Sequence, residues 1–453
     1  MSKPICIPDN HPGLRKELSQ IEWDDLRAIA GKKVSSLCRM NGDDTSLLVF
    51  PDSLDLYGDK IGDEVVFDIF EDRISSGNLM GFIGRRDTAL KIHSRFDKGG
   101  DDFFMHYMLE KVFAVNMFDL PHSTDTEDIF DFIIFLFPYF LKQALAQGLY
   151  RQYITYRRND SHVRGPIDIA RHIRENVPFS SSISYNSREY TGDNDLIELI
   201  RHTIEYIRTK PFGNSILKRD ESTKGCVSDI IQATPSYNSN ERVKVIYRNL
   251  RPKIHPYYSE YEPLRRLCLQ ILREEEIKYG EQDDKVYGVL FDGAWLWEAY
   301  LNTLFEGMNI HHPDNKTGQG KIYLFTPKAA PRYPDFWGDG IVMDAKYKGY
   351  DGKSVTQVGR EDLAQVISYM YIKNAQLGGF LVPGSNGTNI SSAKLNSALG
   401  GEMFLLSLPI PDDAESYSSF VNQIEVSESF FVSKIRDLIN CLVPERQAVT
   451  AAM

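Results

Sequence analysis

Cysteine is scarce in this 453-residue chain: Cys6, Cys38, Cys226, Cys268 and Cys441, an odd number with no C-x-x-C spacing. That scatter excludes a disulfide framework and a zinc site of ordinary ligand spacing, and it predicts a reducing compartment with buried thiols. A membrane-length apolar run is also missing. The most apolar stretch, 129–145, is interrupted by Asp131, Pro138 and Lys142 and reads as a buried helix pair. The opening residues, Met1 to Asn10, have no apolar core of signal-peptide length. The expectation is a cytoplasmic protein without a membrane partner. Positive charge is in deficit, with 63 acidic against 52 basic residues and a net charge of −11. A chain that binds DNA alone is usually basic, so either the contacts are local or another subunit brings the nucleic acid. Gly352-Lys353-Ser354 has the look of a P-loop end, but Tyr347 occupies the position of its first glycine. Any nucleotide hydrolysis therefore belongs to another chain. Pro383-Gly384-Ser385-Asn386-Gly387 lacks the first glycine of a nucleophile elbow.

What is present fits a soluble globular protein of two or three domains. Residues 1–100 read as a β-rich subdomain, with strands at Leu47–Phe50, Val65–Ile69 and Gly81–Gly84 separated by Gly and Asp. Residues 101–280 read as mainly helical, with Pro138 as a kink or break. The acidic segment Gly280–Lys285 is the expected boundary. Residues 281–453 alternate helices and strands, with strands at 322–325, 333–337, 341–346, 379–382 and 403–406. The expected architecture is an α/β C-terminal domain, a central mixed sheet flanked by helices, joined to an α+β N-terminal domain with a small β-rich subdomain.

The narrowest chemical signal lies late in the chain. Arg332-Tyr333-Pro334-Asp335 precedes Asp344-Ala345-Lys346, with nine positions separating the two aspartates. Side chains alternate along a strand, so Asp344 and Lys346 share one side. Asp335 lies on the preceding strand, across a Gly338-Asp339-Gly340 turn, and the hairpin brings it to Asp344. Two adjacent carboxylates repel unless a cation lies between them. Mg²⁺, or Mn²⁺ in its place, takes hard oxygen ligands and keeps waters for a substrate. The Ala345 backbone carbonyl is a further ligand, and Lys346 is placed to hold an attacking water or stabilise a phosphorane. Glu298 sits on the helix expected over 292–307 among core-like neighbours, where pointing at the metal pocket explains it. Gln365, on the helix expected over 360–376, faces the same way as Tyr369 and could orient the lysine or contact a phosphate.

Other features read as ordinary structure. Lys348 shares the face of Lys346 and serves equally well as a DNA contact or an edge-strand lysine. The basic and tyrosine-rich run from Arg151 to Arg164 reads as a solvated strand face or docking surface in preference to a nucleic-acid patch. His311-His312-Pro313-Asp314 reads as a loop, since adjacent histidines point apart.

A helix Glu, then P-D, then D-A-K, then a helix with Gln resembles the order of the PD-(D/E)xK nuclease superfamily. More narrowly, Met343-Asp344-Ala345-Lys346-Tyr347-Lys348, with Trp297-Glu298 and Gly165-Pro166-Ile167-Asp168, resembles the McrC family, the nuclease subunits of McrBC-type restriction systems. The resemblance implies a PD-(D/E)xK endonuclease domain over 281–453. It implies metal binding by Asp335 and Asp344, catalysis by Lys346, and support from Glu298 and Gln365. It also implies a bacterial or archaeal antiphage system. The partner would be a McrB-like AAA+ GTPase ring, on which the N-terminal half of this chain docks, with 101–280 as the partner-docking region, and whose hydrolysis it stimulates; the substrate would be double-stranded modified DNA. The alternative is a catalytically silent adaptor and GTPase activator with a nuclease-like fold.

Overall fold

The computed structural model describes residues 4–40, 47–51, 61–98, 102–114, 126–178, 181–250, 254–278, 286–313, 320–350, 352–385, 387, 389–396 and 400–450. Among them no helix is long and apolar enough to cross a membrane.

The strand Val286–Asp292 determines how the chain is grouped. Every one of its residues is buried, as expected of a continuous apolar run covered on both faces. It pairs antiparallel with Leu79–Arg85 and parallel with Leu47–Phe50. Thr88–His93 and then Ile5–Pro8 complete a five-stranded sheet. Two glycines permit the close approach of the first two strands. A Cβ on Gly81 would meet the Val289 carbonyl oxygen at 2.1 Å, and one on Gly288 the Phe82 carbonyl oxygen at 2.2 Å. The described parts of 4–132 and 278–450 consequently form one compact unit, and 133–277 another. Local sequence patterns separate 1–100 from 281–453. The difference arises because a strand of the latter completes the sheet of the former, a pairing that local periodicity does not encode. The expected boundary Gly280–Lys285 lies outside the described residues.

In the first unit, Val286–Asp292 runs directly into the helix Gly293–Leu304. Asp292 caps that helix by accepting hydrogen bonds from the backbone N–H groups of Ala294 and Trp295 at 2.8 and 3.3 Å. A mixed six-stranded sheet follows, ordered Ile310–His311, Phe336–Gly338, Ile341–Ala345, Leu377–Gly384, Glu402–Pro409 and Ile390–Lys394. Its three middle strands are parallel to one another. Gly338 pairs with Ile341 across a tight turn in which Gly340 adopts φ +81°, a region glycine enters without strain.

One face of this sheet packs Val342, Phe380, Val382 and Leu405 against Val366, Tyr369 and Met370 of the helix Arg360–Lys373. On the other face Phe336 meets Phe305 edge-on at 5.2 Å, and Phe305 stacks on Phe431 of the last helix, Tyr417–Thr450. Helices on both faces of a mixed sheet match the expected α/β layering. Of the strand expected over 333–337 only Phe336 and Trp337 are extended, in Phe336–Gly338, while the neighbouring strand Ala329–Arg332 pairs with Ile322–Phe325 in a separate hairpin. Pro334 stands in the gap, where its missing N–H would break a ladder.

The second unit carries the hairpin Gln152–Asp160 with Ile183–Thr191, paired over its full length, and the helix Ile169–Glu175. The helices Asp195–Thr209, Glu221–Ala233, Arg242–Arg248 and Tyr261–Lys278 follow. The expected helix pair around Pro138 is a single helix, Thr126–Ala146. Ile134, Leu136, Phe137 and Leu141 are fully or almost fully buried, and their packing holds the helix through the proline.

Candidate active site

The hairpin register sets the site. Phe336 pairs with Met343 and Trp337 with Val342, and extending that register by one residue sets Asp335, just before the strand, opposite Asp344. Trp337 and Val342 join the core beneath the helix Arg360–Lys373. Alternation places Asp335 and Asp344 on that same face, one step further along the strands. The Ala345 backbone N–H donates to Asp335 Oδ2 at 2.7 Å, which fixes one carboxylate across the hairpin. Asp344 is 1% exposed, an extreme burial for a carboxylate.

Lys346 Nζ stands 2.8 Å from Asp344 Oδ2 and donates to Gln365 Oε1 at 3.3 Å. Gln365 Nε2 donates to the Tyr369 hydroxyl at 2.6 Å, and that hydroxyl donates to the Tyr333 carbonyl at 3.1 Å. A helix side chain, a tyrosine and the chain just before Asp335 thus tie the lysine down. Glu298, Asp335, Asp344, Ala345, Lys346, Gln365 and Tyr369 all line one cleft of about 600 Å³. Every sequence-predicted site residue is therefore brought to one place.

Electrostatics follow from that crowding. Burial, then the charges of Glu298 and Asp344, pushes the Asp335 carboxyl well above the usual range, against the pull of the Ala345 N–H and Lys346. Burial also raises Asp344, with Lys346 opposing it. Burial works against the Lys346 ammonium, but Asp344, Asp362 and Asp335 outweigh it and raise its pKa. Acids that resist ionising unless a cation joins them have the chemistry of a metal site.

Asp344 Oδ2 fits such a role, because it is buried without an aligned hydrogen-bond donor, beside the Lys346 ammonium. Among the described residues no three His, Cys, Asp or Glu side chains form a metal cage. Mg²⁺ requires only one or two carboxylates and retains waters. The pair Asp335 and Asp344, with Ala345 and Glu298 lining the same cleft, suits it.

Three nearby groups escaped the sequence reading. Asp362 lies 3.5 Å from Lys346 Nζ and 3.0 Å from Lys348 Nζ, and accepts from the Tyr350 hydroxyl at 3.2 Å. Burial opposes its charge, but Lys348 and Lys346 hold its pKa below the ordinary value. An acid in the first turn of a helix gives no signal that separates this role from a dipole-favouring one. His312 Nδ1 lies 2.9 Å from the Asp335 carbonyl oxygen and 3.7 Å from Glu298 Oε1, and its ring stacks on Phe336. Of the segment expected as a loop, His311 ends a short strand, His312 and Pro313 lie outside strand and helix, and Asp314 is outside the described residues. Arg95, with Asn78 and Asn10, also lines the cleft from the five-stranded sheet's side of the unit. No local motif could have linked residues so distant in sequence.

No curated protein matches. A chain in a half-complex from the tetradecameric assembly of Thermococcus gammatolerans McrB AAA+ hexamers with bound McrC aligns over 93% of this chain and 100% of its own, at 15% identity and a TM-score of 0.48. A chain of the Thermococcus gammatolerans McrBC complex aligns over 67% of this chain and 87% of its own, at 15% identity and a TM-score of 0.34. The family model for the McrBC 5-methylcytosine restriction system component matches residues 74–382. That span holds Arg95, Glu298, Asp335, Asp344, Lys346 and Gln365, and the chain belongs to this family, as its resemblance to McrC implied.

Proposed function

We propose that this chain is the metal-dependent DNA endonuclease subunit of a McrBC-type restriction system, built on a PD-(D/E)xK nuclease fold. The observation that carries the proposal is the convergence of Glu298, Asp335, Asp344 and Lys346 in one cleft, with the two aspartates opposed across a hairpin. A pure adaptor has no use for three convergent ionisable groups, one buried and two half-buried, whose pKa values are all displaced.

Asp335 and Asp344, with the Ala345 carbonyl and Glu298, would hold Mg²⁺ or Mn²⁺. A bound cation there supplies Lewis-acid stabilisation of charge developing on the phosphoryl oxygens. Lys346 presents an ammonium beside Asp344, where it orients the attacking water and meets the charge of the phosphorane. Gln365 and Tyr369 hold that ammonium in place, which removes part of the entropy of assembling the reacting groups. Cleavage in this manner leaves a 3′-hydroxyl and a 5′-phosphate. The partner is a McrB-like AAA+ GTPase ring that brings double-stranded modified DNA, and this chain stimulates its hydrolysis. The acidic charge of the chain, −11, accords with that division of labour.

The test is cleavage of modified duplex DNA by the chain with its AAA+ partner, GTP and Mg²⁺. Asp344→Ala is expected to abolish cutting and leave co-elution with the ring unchanged. Cutting at the wild-type rate by Asp344→Ala would remove the site assignment.

A further inference from the structure

The cleft has a wall that the metal chemistry does not use. Arg95 follows the strand Thr88–His93 of the five-stranded sheet, about 240 positions before the hairpin, and it lines the same cleft. Its guanidinium is held from behind. Nε and Nη2 donate to Asp9 Oδ2 at 3.0 and 2.6 Å, and the Arg95 backbone N–H donates to Asp9 Oδ1 at 2.6 Å. Nη2 also donates to Asn78 Oδ1 at 3.2 Å. Asp9 is 1% exposed, so its carboxylate is a fixed anchor. The guanidinium lies over the Tyr347 ring, 5.0 Å from its centroid, and the Tyr347 hydroxyl is hydrogen-bonded to Ser94 at 2.7 Å. Tyr347 is the residue after Lys346. Arg95 is thus locked directly beside the strand end that carries the lysine.

An arginine has five N–H donors in a rigid fork. The bonds to Asp9 and Asn78 occupy Nε and Nη2. The two N–H groups of Nη1 have no acceptor among the described residues. Of the other cationic groups of the cleft, the two lysines are paired with carboxylates, and Arg332 has no carboxylate among the described residues to fix its guanidinium. Lys346 is paired with Asp344, Lys348 with Asp362, and Arg332 Nη1 donates to the Pro331 carbonyl at 3.0 Å. A guanidinium fixed by a buried carboxylate, with donors left over in a cleft, suits a phosphate oxygen, because little rotamer freedom remains to be lost on binding.

We infer that Arg95, positioned by Asp9 and Asn78, grips a phosphate of the DNA strand lying in the cleft, adjacent to the phosphodiester presented to Lys346. This rests on the nuclease reading and extends it: the N-terminal segment completes the substrate site of the C-terminal one. The bond from Asp9 offsets part of the arginine's charge, so the contact acts through directed hydrogen bonds more than through long-range steering. That is why a lysine is a poor substitute.

The experiment measures the affinity of the full-length chain for a fluorescent 20-base-pair duplex, with Ca²⁺ in place of Mg²⁺ to prevent cutting, over a series of salt concentrations. Arg95→Gln is expected to bind about 10-fold more weakly and to reduce the slope of log K against log salt by about one, the signature of one lost phosphate contact. Arg95→Lys is expected to keep the slope and recover only part of the affinity. Asn78→Ala gives a milder reading that leaves the ion pair with Asp9 intact. A purely structural arginine would lower the melting temperature and leave slope and affinity unchanged in Arg95→Lys and Asn78→Ala, and that result overturns the inference. So does a wild-type chain whose duplex affinity shows no salt dependence. Failure here is separable from failure of the nuclease reading. The latter is decided by cutting in the Asp344→Ala complex, in which Arg95 is intact.

Discussion

Lys346 Nζ stands 2.8 Å from Asp344 Oδ2, and Asp344 is almost wholly buried. The ammonium and a divalent cation would share that carboxylate. On the proposed nuclease reading the lysine would have two opposing effects, helping the chemistry and competing for a metal ligand.

Lys346→Ala separates those effects. Single-turnover cleavage with the AAA+ partner should fall by about 10²–10³-fold, the usual loss when a charge-stabilising donor is removed. Mn²⁺ affinity, followed by electron paramagnetic resonance, should rise several-fold, because Asp344 loses its competing cation. A parallel fall in both would mean that Lys346 only props the hairpin.

The hydroxyl of Tyr369 joins Gln365 to the Tyr333 carbonyl, and Gln365 holds Lys346. Tyr369→Phe removes two hydrogen bonds and little volume. Stability should drop by about 1 kcal/mol in urea unfolding. Cleavage should drop by about 10-fold with metal affinity unchanged, since the defect lies in positioning the ammonium. An unaltered rate would show that the lysine needs no such support.

Much of this site could be read from the chain before its fold was known. The turn at Asp339-Gly340 and the alternation through Asp344 and Lys346 are local properties, and the backbone follows them. Glu298 was legible because a carboxylate among Trp295, Leu296, Ala299 and Leu304 needs a reason. What escaped was non-local. Val286–Asp292 is an apolar run with no alternation, so nothing in it announced a strand between Leu79–Arg85 and Leu47–Phe50. The division of the chain was missed for that reason, and Arg95 with it. Ile183–Thr191 is polar at Ser184, Asn186, Ser187 and Arg188, and its strand form depends on pairing with Gln152–Asp160. The family model and the layered fold agree with the expected McrC membership and α/β class, while the residue roles rest on the geometry.

His202 gives the second unit a pH dependence. It is buried on the helix Asp195–Thr209, against the Tyr237 ring at 4.7 Å. Burial first, then the Arg242 and Arg201 guanidiniums, lowers its pKa from 6.5 to about 4, with Glu205 and Glu241 opposing. Above pH 6.5 the ring is neutral in both folded and unfolded chains and contributes nothing. Below that value the unfolded chain takes up a proton that the folded chain refuses, until about pH 4. Stability therefore falls on acidification through this window. Allowing for solvent screening, the histidine should account for about 1–2 kcal/mol of the loss between pH 7 and pH 5. His202→Gln should flatten the urea-unfolding profile by that amount, and an unchanged slope would place the proton uptake elsewhere.

Calorimetric titration of Mn²⁺ into the full-length chain tests the central claim most directly, because it asks about the cation without requiring DNA, partner or turnover. The wild-type chain should show saturable binding, and Asp344→Asn, with an unchanged circular dichroism spectrum, should lose it by at least about 10-fold. Equal affinity in both chains, or no saturable binding in the wild type, would contradict the account.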